Sequence, residues 1–320
     1  MTPVRAAVVG CGAFGRNHLR VTSSHGRTKL QYAVDVDPEK AAAAGKEFQA
    51  EALSDYRELA GKVDAAVVAT PTTTHVEVAE CLLESGIDVL IEKPITPDLA
   101  SARRLDEIAK ANGRVLAVGH LERFNPAVIG LKKVVSVPLF FEIHRMSMFA
   151  PRSLDVDVVL DLMIHDVDIV LSLVNAMPEE VRAAGIRIMS QKVDIANVRL
   201  AFPGGCVANL TASRVSTEKV RKLRLFQPHQ YISLDYSKQS GVGIKVSGTG
   251  SFSMATIGAE KAEPLVAQWD AFVDAVEQRT APAVGATEAT RALEVCLDIL
   301  DKIEVHAGIV NETLASHGLV

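Results

Sequence analysis

The sequence predicts an α/β protein of two regions, a doubly wound parallel sheet followed by an α+β region with a mostly antiparallel sheet. Three observations carry this. Over residues 4–118 short apolar runs alternate with helical patterns of about ten to fifteen residues, the rhythm of βαβ units. The rhythm breaks after Gly119. Beyond Pro126 most apolar segments are extended without intervening helices, and Pro203-Gly204-Gly205 is a hairpin signal between two of them. Such a run makes a sheet with one face covered by helix.

Residues 4–9 form the first strand, followed by Gly10-Cys11-Gly12-Ala13-Phe14-Gly15 and a helix running toward Val21. A second strand spans 30–36, and Pro38-Glu39-Lys40 ahead of four alanines opens a second helix, with Asp37 as its cap. The third strand, 64–69, ends in Thr70-Pro71-Thr72-Thr73-Thr74-His75. A helix over 76–85 stops at Gly86, a 97–112 helix stops at Gly113, and 88–91 and 115–118 are the fourth and fifth strands. In the second region a single helix covers about 157–174. Extended segments cover 139–149, 180–189, 195–202, 206–213, 222–227, 231–236 and 242–246. Residues 240–256 are mildly Gly/Ser-rich, and helices over 264–279 and 288–306 close the chain. The expected domains are 1–122 and 123–320, with the C-terminal helices able to pack back on the first.

Composition narrows the function classes. The chain has 320 residues, 48% hydrophobic and 23% charged, with a net charge of −5. That is ordinary globular composition, with no electrostatic footprint for nucleic acid or an anionic membrane. Cys11, Cys81, Cys206 and Cys296 are far apart and form no C-x-x-C pair. Neither a zinc site nor a disulfide framework is expected, and a reducing cytoplasm fits. The first strand begins by Val4, leaving no room for a signal peptide. No apolar run reaches the roughly 18–20 residues of a membrane span.

The residues that carry chemistry cluster at strand ends. Gly10, Gly12 and Gly15 form a G-x-G-x-x-G between a strand and a helix, with Asp35 twenty residues after Gly15. This is the dinucleotide fingerprint: glycines permit close backbone approach, and the amides at Ala13 and Phe14 meet the pyrophosphate. Asp35 accepts from the adenosine ribose hydroxyls and repels a 2′-phosphate, favouring NAD over NADP. Thr70, Pro71, Thr72 and His75 follow the third strand, where small hydroxyl residues suit ribose and phosphate; His75 equally suits the cap of the next helix. Glu92 and Lys93 end the fourth strand in Ile91-Glu92-Lys93-Pro94. A lysine there can hydrogen-bond a substrate hydroxyl, although an arbitrary lysine before a proline is a surface residue. Asp161 and His165 are spaced i, i+4 and share a helix face, so the carboxylate can orient the imidazole or meet a substrate hydroxyl. A metal held by Asp161, His165, Asp166 and Asp168 competes poorly, because Asp166 and Asp168 point to other faces. Gly119-His120-Leu121-Glu122-Arg123-Phe124-Asn125-Pro126 sits where the rhythm breaks. Its polar groups His120, Glu122, Arg123 and Asn125 suggest a substrate-facing loop; a charged hinge is the plain alternative.

Together these motifs resemble the glucose-fructose oxidoreductase/inositol dehydrogenase (Gfo/Idh/MocA) family. The resemblance rests on G-x-G-x-x-G at 10–15, Thr-Pro-x-x-x-His at 70–75, Glu-Lys-Pro at 92–94 and D-x-x-x-H at 161–165. It implies a Rossmann domain, an open-faced α+β domain whose sheet packs between subunits as a homodimer or homotetramer, and an active site in the cleft. It also implies catalytic positions at Lys93, Asp161 and His165: His165 as base, Lys93 stabilising the developing negative charge, and Asp161 orienting sugar or imidazole. A cis bond is frequent in the family at the Lys-Pro step. Many members carry glycines before the D-x-x-x-H aspartate, where this chain has Val158-Val159-Leu160. Within the family, the 119–126 and 161–166 segments resemble the branch that oxidises the 3-hydroxyl of UDP-N-acetylglucosamine, upstream of a 3-aminotransferase, as in lipid A variants. Arg145 and Arg152 are then candidate cations for the diphosphate. A polyol such as inositol, another nucleotide sugar, and a non-catalytic nucleotide-sensing role on the same fold are the alternatives.

Overall fold

The computed structural model describes residues 2–149, 156–248, 250–258 and 261–319. Two compact units form, one from 1–121 with 263–290 and the other from 122–262 with 291–320. The first begins with β1 (Val4–Val9), α1 (Ala13–Ser24), β2 (Thr28–Val34), α2 (Pro38–Phe48) and β3 (Glu51–Leu53). It continues with β4 (Ala65–Val68), α3 (His75–Glu84), β5 (Asp88–Ile91), α4 (Leu99–Ala111) and β6 (Leu116–Val118). The strands pair in parallel in the order β3-β2-β1-β4-β5-β6. The order reverses between β1 and β4, which is where an open α/β sheet binds its ligand. Asp37 caps α2, its Oδ1 accepting from the amides of Glu39 and Lys40 at 3.0 and 3.3 Å. β3 escapes the sequence reading because three residues are too few to show a period.

The second unit contains α5 (Pro126–Lys132), β7 (Phe140–Met146), a π turn over Val159–Met163 and α6 (Ile164–Val174). Its strands continue with β8 (Glu180–Ile186), β9 (Ile195–Ala201), β10 (Val207–Ser213), β11 (Val220–Gln227), β12 (Gln230–Asp235), β13 (Ser240–Ser247) and β14 (Ser251–Ile257). They form one sheet in the order β14-β13-β12-β11-β7-β10-β9-β8, antiparallel except for the parallel β7–β10 pair. One face buries Phe141, Ile143, Val198, Leu210, Leu223 and Leu225 in a core with Val167 and Val170 of α6. β8 stops short of the expected residue 189 because the Asp194 carboxylate takes the amides of Ile188, Met189 and Ser190. α5 and β14 were not expected. The Asn125-Pro126 pair that suggests a loop is in fact a cap, Asn125 Oδ1 accepting from the Ala127 amide at 3.0 Å with Pro126 at the first helical position.

The chain ends with α7 (Pro264–Gln278) and α8 (Ala286–Ser316). Leu265, Trp269, Phe272 and Val276 of α7 enter the core of the first unit, beside Val4, Leu19 and Leu30. The Val118 amide then bonds the Val284 carbonyl at 3.0 Å. The first unit therefore takes in 263–290 as well as 1–121. In α8, Ile299 and Ile303 join the core of the second unit. Among the described residues no helix is long and apolar enough to cross a membrane.

Candidate active site

The glycine loop is shaped by contacts that exclude side chains. Gly10 has φ 97°, and a Cβ there would lie 2.5 Å from the Ala69 carbonyl oxygen, so it locks β1 against the end of β4. A Cβ on Gly15 would fall 1.8 Å from the Gly10 carbonyl oxygen, which fixes how closely α1 approaches the turn. At Gly12 no atom lies within 4 Å of such a Cβ. Gly12 is also the N-cap of α1, with no side-chain cap and no acidic residue in the first turn, so the amides after it face open space. Asp35 braces the loop: Oδ2 accepts from the Cys11 amide at 2.8 Å and Oδ1 from the Asp37 amide at 3.0 Å. A carboxylate has about four lone-pair sites, so both oxygens keep capacity for a ribose diol. This open turn, uncapped helix and anchored carboxylate fit a dinucleotide. Phe14 is 42% exposed beside the loop, its ring edge-on to His18 at 5.4 Å.

Lys93 sits in a turn held from two sides, and the Lys93–Pro94 bond is cis. Glu92 is buried; its Oε1 lies 2.8 Å from His18 Nε2 and its Oε2 accepts from the Lys93 amide at 3.3 Å. The carboxylate rests on Gly119, where a Cβ would approach Oε1 to 2.7 Å. Glu92 is thus spent inside the protein rather than turned to a cofactor. His75 is only 1% exposed and does not present its ring to a ligand. Its Nδ1 lies 3.0 Å from the Pro94 carbonyl oxygen and 3.2 Å from that of Ile95, and Nε2 lies 3.0 Å from that of Thr70. Burial pushes the His75 pKa below its ordinary 6.5 despite those carbonyls. Thr70 is half-buried, its hydroxyl accepting from that of Thr74 at 2.9 Å, while Pro71 and Thr72 begin the turn beyond β4. His18 was missed by sequence reasoning. The available signal was a polar residue on the buried stripe of α1 shared by Gly15, Leu19 and Thr22.

In the second unit Asp161 lies within the π turn, whose Ile164 amide bonds the Val159 carbonyl, and His165 follows in α6. Both are half-buried. The i, i+4 argument assumes a regular helix, and half of this span is wider; π turns of this kind recur at functional sites. The residues flanking His165 are captured. Asp166 takes Arg145 Nε at 2.6 Å and Nη2 at 2.9 Å, and Asp168 takes Arg123 Nε at 2.5 Å and Nη2 at 2.8 Å. Arg145 Nη1 also meets Glu122 Oε1 at 3.0 Å, and Asn125 Nδ2 donates to Glu122 Oε2 at 3.1 Å and to the Tyr236 carbonyl at 3.0 Å. Burial alone would lower the Arg145 pKa, but Asp166 and Glu122 hold it well above its usual value. Burial alone would raise that of Glu122, but Arg145 holds it below.

This network corrects the sequence expectation for four residues. Arg145 is 2% exposed and Glu122 and Asn125 are buried, while Arg123 gives Nε and Nη2 to Asp168. Arg123 and Arg145 bind α6, Glu122 holds Arg145, and Asn125 ties Glu122 to the Tyr236 carbonyl. His120 is buried as well. Arg152 lies outside the described residues. Among the described residues no group of three or more His, Cys, Asp or Glu side chains is placed to hold a metal ion.

A Rossmann sheet with an open dinucleotide turn, a lysine at a neighbouring strand end and a separate α+β unit define an NAD-binding oxidoreductase. Residues 4–120 match the profile of an oxidoreductase family with an NAD-binding Rossmann fold, and 136–229 match the GFO/IDH/MocA C-terminal domain. The chain belongs to the Gfo/Idh/MocA family. It is similar to UDP-N-acetylglucosamine 3-dehydrogenase of Acidithiobacillus ferrooxidans, at 34% identity over 311 residues, 95% of this chain and 98% of that one. A solved structure of that enzyme superposes with a TM-score of 0.90 at 33% identity, covering 96% of this chain and 99% of the other. The NAD(+)-dependent scyllo-inositol 2-dehydrogenase of Bacillus subtilis is 30% identical over 234 residues, 67% of this chain and 68% of that one.

Proposed function

We propose that this protein oxidises the 3-hydroxyl of UDP-N-acetylglucosamine to the 3-keto nucleotide sugar, supplying a later amination. The observation that carries the reading is the 34% identity to a UDP-N-acetylglucosamine 3-dehydrogenase over 95% of this chain and 98% of that one. The inositol dehydrogenase match covers only 67% of this chain. NAD, when bound, supplies the hydride acceptor. Gly10, Gly12 and Gly15 with the first turn of α1 would hold its pyrophosphate, and Asp35 its adenosine ribose. Lys93 donates a hydrogen bond to the substrate hydroxyl oxygen and stabilises the charge that develops there. His165 takes the hydroxyl proton, and Asp161 orients the sugar or the imidazole.

The test is NADH production followed at 340 nm with UDP-N-acetylglucosamine or myo-inositol. Turnover of the nucleotide sugar is expected; preference for myo-inositol would replace the substrate assignment, and no turnover of any sugar would favour a sensing role. Lys93→Ala should keep NADH binding while losing about 10²-fold or more in kcat. Full activity in that variant would sink its role.

We assign the uncovered sheet face to self-association, as a homodimer or homotetramer. A row of Val207, Phe140, Phe226, Tyr231, Ile244 and Met254 crosses it in register, and Phe226 and Met254 are exposed. Phe226→Asp should reduce the mass measured by light scattering; an unchanged mass would refute the assignment. A reducing cytoplasm suits the cysteines, none of which forms a disulfide among the described residues.

A further inference from the structure

We propose that two buried histidines, His18 and His75, are positioning residues that together set Lys93 relative to the dinucleotide loop; this rests on the reading of Lys93 as the hydroxyl-binding lysine. The turn Glu92-Lys93-Pro94-Ile95 is gripped on one side by His18, whose Nε2 lies 2.8 Å from Glu92 Oε1. On the other side His75 Nδ1 lies 3.0 and 3.2 Å from the carbonyl oxygens of Pro94 and Ile95. Each imidazole is 1% exposed, so neither exchanges these partners for water.

What each histidine joins to the turn gives the arrangement its meaning. His18 lies on α1, the helix whose open first turn follows Gly12, and Phe14 of the fingerprint stacks edge-on against it. His75 Nε2 reaches the Thr70 carbonyl at 3.0 Å, at the end of β4 where Gly10 packs against Ala69 and Thr70. Both grips therefore run from the lysine turn to the two backbone segments expected to touch the cofactor. The Glu92 carboxylate completes the geometry, since its second oxygen accepts from the Lys93 amide and its weight rests on Gly119. A side chain on Gly119 would displace Glu92, and with it the amide of the lysine. Such a frame matters because misplacing a reacting group by about 1 Å can cost on the order of 10²-fold in rate.

The experiment compares His18→Leu, His18→Gln, His75→Leu, His75→Asn and Lys93→Ala. Three quantities are read: kcat with UDP-N-acetylglucosamine, NADH affinity by fluorescence, and the rate of Lys93 acetylation in the cofactor-free protein by mass spectrometry. The leucine variants should lose about 30-fold or more in kcat. Their NADH affinity should stay within about threefold of wild type and their Lys93 acetylation rate should change. His18→Gln, which keeps a donor for Glu92, should recover most of the rate. His75→Asn, which keeps only the Pro94 side, should fall to about one third of wild type or lower at unchanged NADH affinity. If a leucine variant fails to fold, that asparagine variant decides: wild-type kcat and acetylation overturn the proposal. Equal losses of kcat and NADH affinity also overturn it, since the histidines would then only hold the domain together. An active Lys93→Ala instead removes the underlying reading of the lysine. An inactive Lys93→Ala beside leucine variants of normal kcat leaves that reading standing and refutes the positioning role.

Discussion

Replacing Arg145 by methionine should destabilise the second unit by about 3–5 kcal/mol, the usual cost of removing one partner from a buried ion pair. The structure places the change toward the upper end of that range. Arg145 and Asp166 are 2% and 1% exposed, so the carboxylate left behind has little access to water. It loses both of its bonds from the guanidinium, at 2.6 and 2.9 Å. Glu122 suffers less, because Asn125 at 3.1 Å and Arg221 at 3.6 Å remain beside it. Methionine fills much of the vacated volume and can keep contact with the Tyr236 ring, over which the guanidinium carbon lies at 5.1 Å, so the charge term dominates the cavity term. For a unit of this size about 1 kcal/mol moves the melting temperature by about 2–4 °C, so a fall of roughly 6–20 °C is expected at pH 7. Calorimetry of the single variant, and of Arg145→Met combined with Asp166→Leu, checks the reasoning. The double variant should regain most of the loss, because an apolar pair of similar volume often replaces an ion pair at no cost. A single-variant shift below about 3 °C, or a double variant no better than the single, would refute the account.

Three further outcomes follow from the first unit. Gly12→Ala should melt within about 2 °C of wild type yet weaken NADH binding about tenfold or more, whereas Gly15→Ala, with its Cβ 1.8 Å from a carbonyl oxygen, should lose both fold and binding. Matched melting curves and NADH fluorescence distinguish them. Asp35→Asn should narrow the kinetic preference for NAD over NADP by about tenfold, measured as a ratio of kcat/KM; an unchanged ratio would remove Asp35 from the ribose site. The pKa of His75 is lowered from 6.5 in the folded state, so below about pH 6.5 the unfolded chain binds the extra proton and stability falls with falling pH until the folded group also titrates. Melting temperatures between about pH 5 and 7 should therefore rise with pH, and the slope should shrink in His75→Asn.

Legibility followed the range of the interactions. The glycine fingerprint, Asp35, the helix caps and the strand-helix alternation are local, and the sequence carries them almost completely. What failed was long-range pairing. Glu122, Arg123 and Asn125 looked like a loop facing a substrate because polar density usually signals solvent or ligand. The partners of Glu122 and Arg123, namely Arg145 and Asp168, lie 23 and 45 residues away, and Asn125 reaches the Tyr236 carbonyl 111 residues on, so nothing local marks these groups as buried. Two lone arginines, Arg123 and Arg145, and the aspartates either side of His165 were the available hint. For α7 the sequence left the choice of core open for a similar reason. Its apolar stripe shows that a core exists but not which core, and Trp269 and Phe272 joined the earlier one. β14 does alternate, with Phe252 and Met254 between small polar residues, but its Ser-rich composition hid the period.

On the proposed reading of His165 as the base, the buried arginines also bear on catalysis through helix α6. Buried ion pairs seldom stabilise a fold more than apolar packing would, so their value here is better sought in what they specify. A helix packed by apolar contacts alone can rotate or slide slightly at small cost. Asp166 and Asp168, one and three residues beyond His165, are each held by two parallel guanidinium bonds, and bidentate pairs fix direction as well as distance. Together they leave α6 one rotation and one height, immediately after a π turn that would otherwise make the helix start deformable. The Arg145→Met, Asp166→Leu double variant separates the two effects. It should recover stability, since Glu122 keeps Arg221 and Asn125 beside it, but only part of the turnover, since the Arg123–Asp168 pair alone then fixes the direction of α6. Wild-type kcat in a fully stable double variant would show that the Arg145–Asp166 pair is dispensable to the chemistry.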